Sequence, residues 1–223
     1  MKNTTILLLL LALTFTGCQG LLLTGMMIIK GTDSPPKYDI LLKGEHRVAV
    51  VPRAVVSNAF ELQNAPREIA RHLNMQLDEK VRNKKLKVVE QSKVEAWLDK
   101  RNNDFETFTE VGKDSSIQAD IVIGFDIVGF QIRDPQNPSL IQGKCQVHVQ
   151  AIEVSTGKIL ASENLMIIDP PSMPLSGGPQ VESQFRPQFI QVIAHQIGAL
   201  FHHFDPHKLH RIDADNLEMH RLR

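Results

Sequence analysis

The chain has 223 residues, with 25 basic and 25 acidic side chains that leave no net charge. That balance excludes the one-sided basic surface of a nucleic-acid binder, and a single Trp and a single Tyr leave little to stack on bases or sugars. Apart from a leader, the length is that of one ordinary domain that needs no disulfide staples, and the two cysteines, Cys18 and Cys145, have unrelated fates.

Met1-Lys2 is a short positive region, Ile6 to Leu13 is apolar, and Phe15-Thr16-Gly17-Cys18 follows. This is the order of a secretory leader. Its Gly-Cys ending resembles the bacterial lipobox. The resemblance implies a signal peptide over 1–17 and a lipidated Cys18 bearing palmitate-class acyl chains. Gln19, rather than Asp, then points to the outer membrane. An uncleaved anchor is the alternative, because residues 6–29 hold 24 positions without a charge. Residues 18–45 read as a tether, with Ser34-Pro35-Pro36 at its centre.

The α/β domain is expected over 46–204. Arg47 to Pro52 is a short apolar strand of the kind buried on both faces. Pro66 marks a helix start, and Ile69, Leu73, Leu77 and Val81 recur every four residues as its apolar stripe. Leu86 to Glu90 is a second strand. Ser92 with Glu95 has the spacing of a capping box for a helix that buries Val94, Trp97 and Leu98. Thr109 to Gln118 is a weak short helix.

Three strands follow between Ala119 and Ile168. In the middle one Val147, Val149 and Ala151 alternate with His148, Gln150 and Ile152, so one face meets a core. Gly157 in Ser155-Thr156-Gly157-Lys158 permits the reversal into the last strand. The proline-rich stretch 169–182 reads as a long loop. A helix from Ser183 or Gln184 to Phe204 presents Phe189, Ile193, Ile197 and Leu200, and Pro206 stops it. Residues 205–223 are a polar tail. The expected class is α/β, a small two-layer sandwich with a mixed sheet, in the order β-α-β-α-(α)-β-β-β-α.

Motifs for chemistry are absent. There is no phosphate loop, no His-Glu-x-x-His and no Gly-x-Ser-x-Gly. Ser155 to Lys158 joins two strands and is a turn. Gly124 and Gly129 lie inside a strand, where glycine marks close backbone approach or a bulge. His202, His203, His207 and His210 crowd the C-terminus, but Pro206 interrupts the helix that would gather them, and a solvated helix end accounts for them. No catalytic residue, cofactor or metal ligand is assigned, and Cys145 is read as a small apolar filler.

Three segments together carry a resemblance to the curli-secretion lipoprotein family of bacterial envelopes. They are Arg47-Val-Ala-Val-Val-Pro52, Ala119-Asp-Ile-Val-Ile-Gly-Phe-Asp-Ile-Val-Gly-Phe130 and Val154-Ser-Thr-Gly-Lys-Ile-Leu-Ala-Ser-Glu-Asn164. The chain is similar as well to lipoprotein activators of peptidoglycan synthases and to the N-terminal domain of TolB. The resemblance implies an anticodon-binding-domain-like fold in a lipid-anchored, periplasm-facing accessory protein. Such a protein acts by binding an envelope partner or copies of itself, without catalysis. The alternative it implies is a ring-forming subunit of a secretion or polysaccharide-export assembly. The short link Gln131–Leu140 and the prolines after Ile168 leave no room for the hairpins of a self-made pore. Loop 169–182 and the edge of the meander are the expected contact surfaces.

Overall fold

Three long antiparallel strands dominate the computed structural model, which describes residues 33–55, 64–81, 86–134, 136–170 and 175–205. They are β3 (Ile121–Arg133), β4 (Leu140–Glu153) and β5 (Ile159–Asp169). β1 (Arg47–Ala54) pairs parallel with β3 and with the two-residue β2 (Lys87–Val88). The sheet order is β2-β1-β3-β4-β5, mixed as expected, with β6 (Leu175–Ser176) pairing the start of β4. Four helices complete the order: α1 (Ala65–Val81), α2 (Gln91–Lys100), α3 (Phe108–Lys113) and α4 (Pro179–Gly198).

Alternation along the strands decides what each face buries. Val48, Val50, Ile123, Phe125, Ile127, Val147 and Val149 point to one face, against Ile69, Leu73 and Leu77 of α1 and Phe189, Ile193 and Ile197 of α4. The helical stripe read from the sequence is this contact. Each such side chain, taken fully out of water, contributes about 1.5–3 kcal/mol before ordering costs. Cys145 is buried in this core, and burial pushes its thiol up to about 12, so it is a filler rather than a nucleophile.

The opposite face corrects the expected two layers. Ala49, Val51 and Val122 bury there against Val94, Trp97 and Leu98 of α2 and Phe108 and Val111 of α3. β1 and β3 are therefore sandwiched between helices, and only the β4–β5 half keeps two layers. The reason is residue size. Gly124 lets the Phe108 ring lie on the strand, since a Cβ there would come within 2.4 Å of it. Trp97 is core, as expected, with its Nε1–H donating to Asp114 (3.0 Å).

Other boundaries move for local reasons. The capping box is not at Ser92. α2 starts at Gln91, and Glu95 is drawn instead to Arg71 (2.7 Å). The box forms at α3, where the Glu110 carboxylate accepts from the Thr107 N–H (3.1 Å). The stretch 169–182 is not all loop. Leu175 and Ser176 pair with Ile141 and Leu140, and Pro179 opens α4 at a position where a missing N–H costs nothing. α4 ends at Gly198, short of Phe204, and a turn follows. The compact unit runs from Pro35 to His203, earlier than the start expected at 46, because Leu41 is fully buried and Tyr38 packs on Phe201. A second unit contributes Ser34 and Phe204, joined by an isolated antiparallel bridge. The leader, Cys18, His207, His210 and the rest of the tail from 206 lie outside the described residues.

His202 is only 3% exposed. Its Nδ1–H donates to the His203 carbonyl (2.8 Å), which can only accept, so Nε2 carries the lone pair. That atom and Gln76 Oε1 are buried without a hydrogen-bond partner. A Cβ on Gly198 would come within 2.7 Å of Nε2 and 2.8 Å of Oε1, so any larger residue there would have to displace the ends of the His202 and Gln76 side chains.

Two predictions follow from the packing. Gly124→Ala is expected to cost about 1–3 kcal/mol in urea unfolding, and less in a Phe108→Ala background, where the clash is gone. Burial, with His72 and Lys80 nearby, holds His195 below the ordinary histidine value, and burial does the same to His202. The unfolded chain protonates these residues near pH 6.5, and the folded chain resists doing so. Stability is then full above about pH 6.5 and declines as the pH falls from there toward the lower folded values. Denaturant midpoints measured across that range, compared with His202→Phe, check it; an equal decline in the variant would place the effect elsewhere.

Candidate functional site

The helical cover on the second face stops at one row of the sheet. Register places Arg53 of β1 beside Asp126 of β3, Asp126 beside His148 of β4, and His148 beside Asn164 of β5. Arg53 grips Asp126 with two donors, Nε to Oδ1 at 2.6 Å and an Nη to Oδ2 at 3.0 Å. Its guanidinium carbon lies 4.7 Å from the centre of the Phe108 ring and 5.4 Å from that of Phe105. The remaining fork donates to the Glu106 carbonyl (3.2 Å). The hydrogen bonds to Asp126 raise the Arg53 pKa further above its ordinary value, so the guanidinium stays charged. A bidentate, ring-stacked arginine is fixed in place in a way that a lysine would not be.

Beyond that row the face is open, and four large apolar side chains stand exposed on it. Val55 is 58% exposed, Val128 39%, Met166 63% and Ile168 42%. Val55 continues β1, its N–H donating to Ile127 O (3.1 Å). Val128 is thrown outward by a β-bulge between Ile127 and Gly129, which also returns Phe130 and Ile132 to the main core. Gln146 and Lys144 lie opposite Met166 and Ile168 on β4. The result is an open strip across the sheet, apolar at Val55 and Val128 and again at Met166 and Ile168, with Gln146 and Lys144 between them, bounded on one side by the charged row.

Ser162, His148 and Asp126 follow one another across β5, β4 and β3 in the order of a nucleophile relay. Ser162 Oγ is 3.0 Å from His148 Nε2. The relay ends there. His148 Nδ1 is 4.0 Å from Asp126, beyond a hydrogen bond, and both carboxylate oxygens are already held by Arg53. The row is a polar girdle.

The edge of the sheet is the second element of the site. The Tyr38 hydroxyl donates to Glu163 (2.9 Å) and to the Ser162 carbonyl (3.3 Å), and the Lys37 ammonium pairs with Glu163 (2.5 Å). Their hydrogen bonds hold the Glu163 carboxyl below its usual range. This clasp closes one end of β5. From Asn164 to Ile168 the strand has no neighbour on its outer side among the described residues. The meander edge expected as a contact surface is thus present. Loop 169–182 is largely built into β6 and α4, and its residues 171–174 lie outside the described residues. Among the described residues no group of three or more His, Cys, Asp or Glu could hold a metal ion, and no helix is long and apolar enough to cross a membrane.

A cleft of about 650 Å³ opens at the other end of the sheet, lined by Ile40, Lys43, His46, Asp120, Glu153 and Leu160 among others. Its charges are of both signs. Asp120 already accepts from the Arg47 N–H (2.7 Å), so the cleft offers no convergent set of free groups.

No protein-family model and no curated protein matches the sequence. Among solved structures the chain is similar to the PelC dodecamer of Paraburkholderia phytofirmans, with 12% identity, 75% of this chain and 92% of that one covered, and a TM-score of 0.38. It is similar to lipoprotein GNA1162 of Neisseria meningitidis, with 12% identity, coverages of 68% and 96%, and a TM-score of 0.41. It is similar too to the hypothetical protein CT253 of Chlamydia trachomatis, with 13% identity, coverages of 70% and 92%, and a TM-score of 0.42. Likeness this distant assigns neither a family nor an activity.

Asp126→Asn is expected to lower stability by about 3 kcal/mol, because it leaves the stacked Arg53 charge without its partner. The double change Arg53→Met with Asp126→Leu should recover most of the loss in chemical unfolding. No recovery would mean that the pair's hydrogen bonds, rather than its uncompensated charge, set the cost.

Proposed function

We propose that this chain is a lipid-anchored accessory protein of the bacterial envelope. It is held at the outer membrane through Cys18, faces the periplasm, and works by binding another protein without catalysis. In plan it is an anticodon-binding-like sandwich of the kind the curli-secretion family and the TolB N-terminal domain resemble. The observation that carries the reading is the open strip Val55, Val128, Met166 and Ile168. It stands beside the part of the same face that α2 and α3 cover. Exposed apolar side chains grouped on one face mark interaction sites more often than chance exposure does. The Gly17-Cys18 ending supplies the address.

The second reading is a ring-forming subunit of an export assembly. It draws on the free edge of β5, and it requires head-to-tail contact between two different surfaces.

One experiment in cells tests the first reading. A photo-crosslinking residue at Val128 or Ile168 should give a discrete adduct with an envelope protein, and the same residue at Met75 on α1 should not. Cys18→Ser should abolish lipid labelling and the adduct together. Normal lipid labelling in Cys18→Ser would refute the anchor, and equal adducts from Met75 would refute the surface.

A further inference from the structure

We propose that β5 pairs edge to edge with β5 of a second copy of this chain, antiparallel about a two-fold axis at Met166. This deepens the docking reading by naming one partner of the same site, and it rests on that reading only for the location of the surface.

The backbone shows which groups are free. Both the N–H and the C=O of Glu153 on β4 bond toward the β5 side, to Lys158 and Gly157 (2.9 and 2.8 Å). Odd-numbered residues of β4 therefore serve β5, and through the register 145↔167, 147↔165 and 149↔163 so do the odd-numbered residues of β5. Even-numbered residues of β5 point their backbone groups outward. The Ser162 carbonyl confirms it by accepting from Tyr38. Asn164, Met166 and Ile168 remain, each with a backbone donor and acceptor that has no strand beside it among the described residues. What such a row recognises is another extended strand.

Edges of this kind are usually guarded by charge, proline, a bulge or shortness. The other edge, β2, is only two residues long and carries Lys87. β5 has eleven residues, and from Asn164 to Ile168 it has no charge, no proline and no bulge. A second β5 suits this run. An antiparallel partner keeps opposed side chains on one face, so the register must set even residues opposite even ones. Centring on Leu165 would use Ser162, which Tyr38 already occupies. Centring on Met166 sets Met166 opposite Met166 and Asn164 opposite Ile168, using only free groups and bringing no charged residue within the run against another. Lys37 neutralises Glu163 at each end. The pairing also lays the two open strips side by side, doubling the apolar surface offered to any further partner.

The test uses the full chain, purified in detergent. Met166→Cys should form a disulfide-linked dimer under mild oxidation, because hydrogen-bonded antiparallel partners have Cα atoms about 5.5 Å apart. Met75→Cys, equally exposed on α1, should not. Met166→Pro deletes an outward N–H and no bond of the β4–β5 ladder, so it should leave the fold intact by circular dichroism. It should weaken association, read as mass by light scattering, by at least about tenfold. Three outcomes would overturn the pairing: no Met166→Cys dimer, equal dimer from Met75→Cys, or an oligomer unmoved by Met166→Pro. Adducts from Val128 in cells persisting beside any of these would leave the docking surface standing and remove only self-pairing.

Discussion

The Arg53–Asp126 pair fixes where the second layer of this protein ends. It sits at the seam between the parallel and antiparallel halves of the sheet, on adjacent strands and in direct register. Its arginine is stacked on the last aromatic side chains of the helical cover. Extending that cover one row further would take His148 and an ion pair wholly out of water, at a cost that packing alone does not return. The helices stop where the charge begins. The β4–β5 half is left with one face bare, and both the open strip and the free edge are consequences.

The same seam explains how unlike surfaces coexist on one sheet. Toward β1 the strands read as continuous apolar runs, because both faces are covered. Toward β5 they alternate, because one is not. The change happens within β3. Ile121 to Ile127 is buried throughout, and after the bulge the outward positions become partly exposed. The bulge is what lets one strand belong to both regimes.

How much of this could be read beforehand depended on whether the signal was local. The alternation of Val147 to Ile152 and the four-residue spacing of Ile69, Leu73 and Leu77 are properties of one segment, and both elements lie where the pattern placed them. The covered second face was hidden, because the seat for Phe108 is a glycine sixteen positions away, and Gly124 read only as a mark of close approach. The polar row was hidden for a related reason. Arg53, Asp126, His148 and Asn164 come from four strands, and only cross-strand register brings them into line. β6 was masked by its prolines, which argue against strands in general but not against two residues between them. Of the candidate site, the meander edge was legible and the strip was not, since Val55, Val128, Met166 and Ile168 are scattered singly through the sequence.

The clasp on β5 has a mechanical side. A chain held by its N-terminal end passes any pull into the compact unit at Pro35. Within that unit the first contacts along the chain are Lys37 and Tyr38 on Glu163, then the Tyr38 N–H bound to the Leu200 carbonyl (2.8 Å). These contacts hold the edge strand and the turn after α4 at once, so the load divides between the sheet and the helix layer. Under the proposed anchoring at Cys18 and docking through β5, a tug would reach the docking strand through these same contacts.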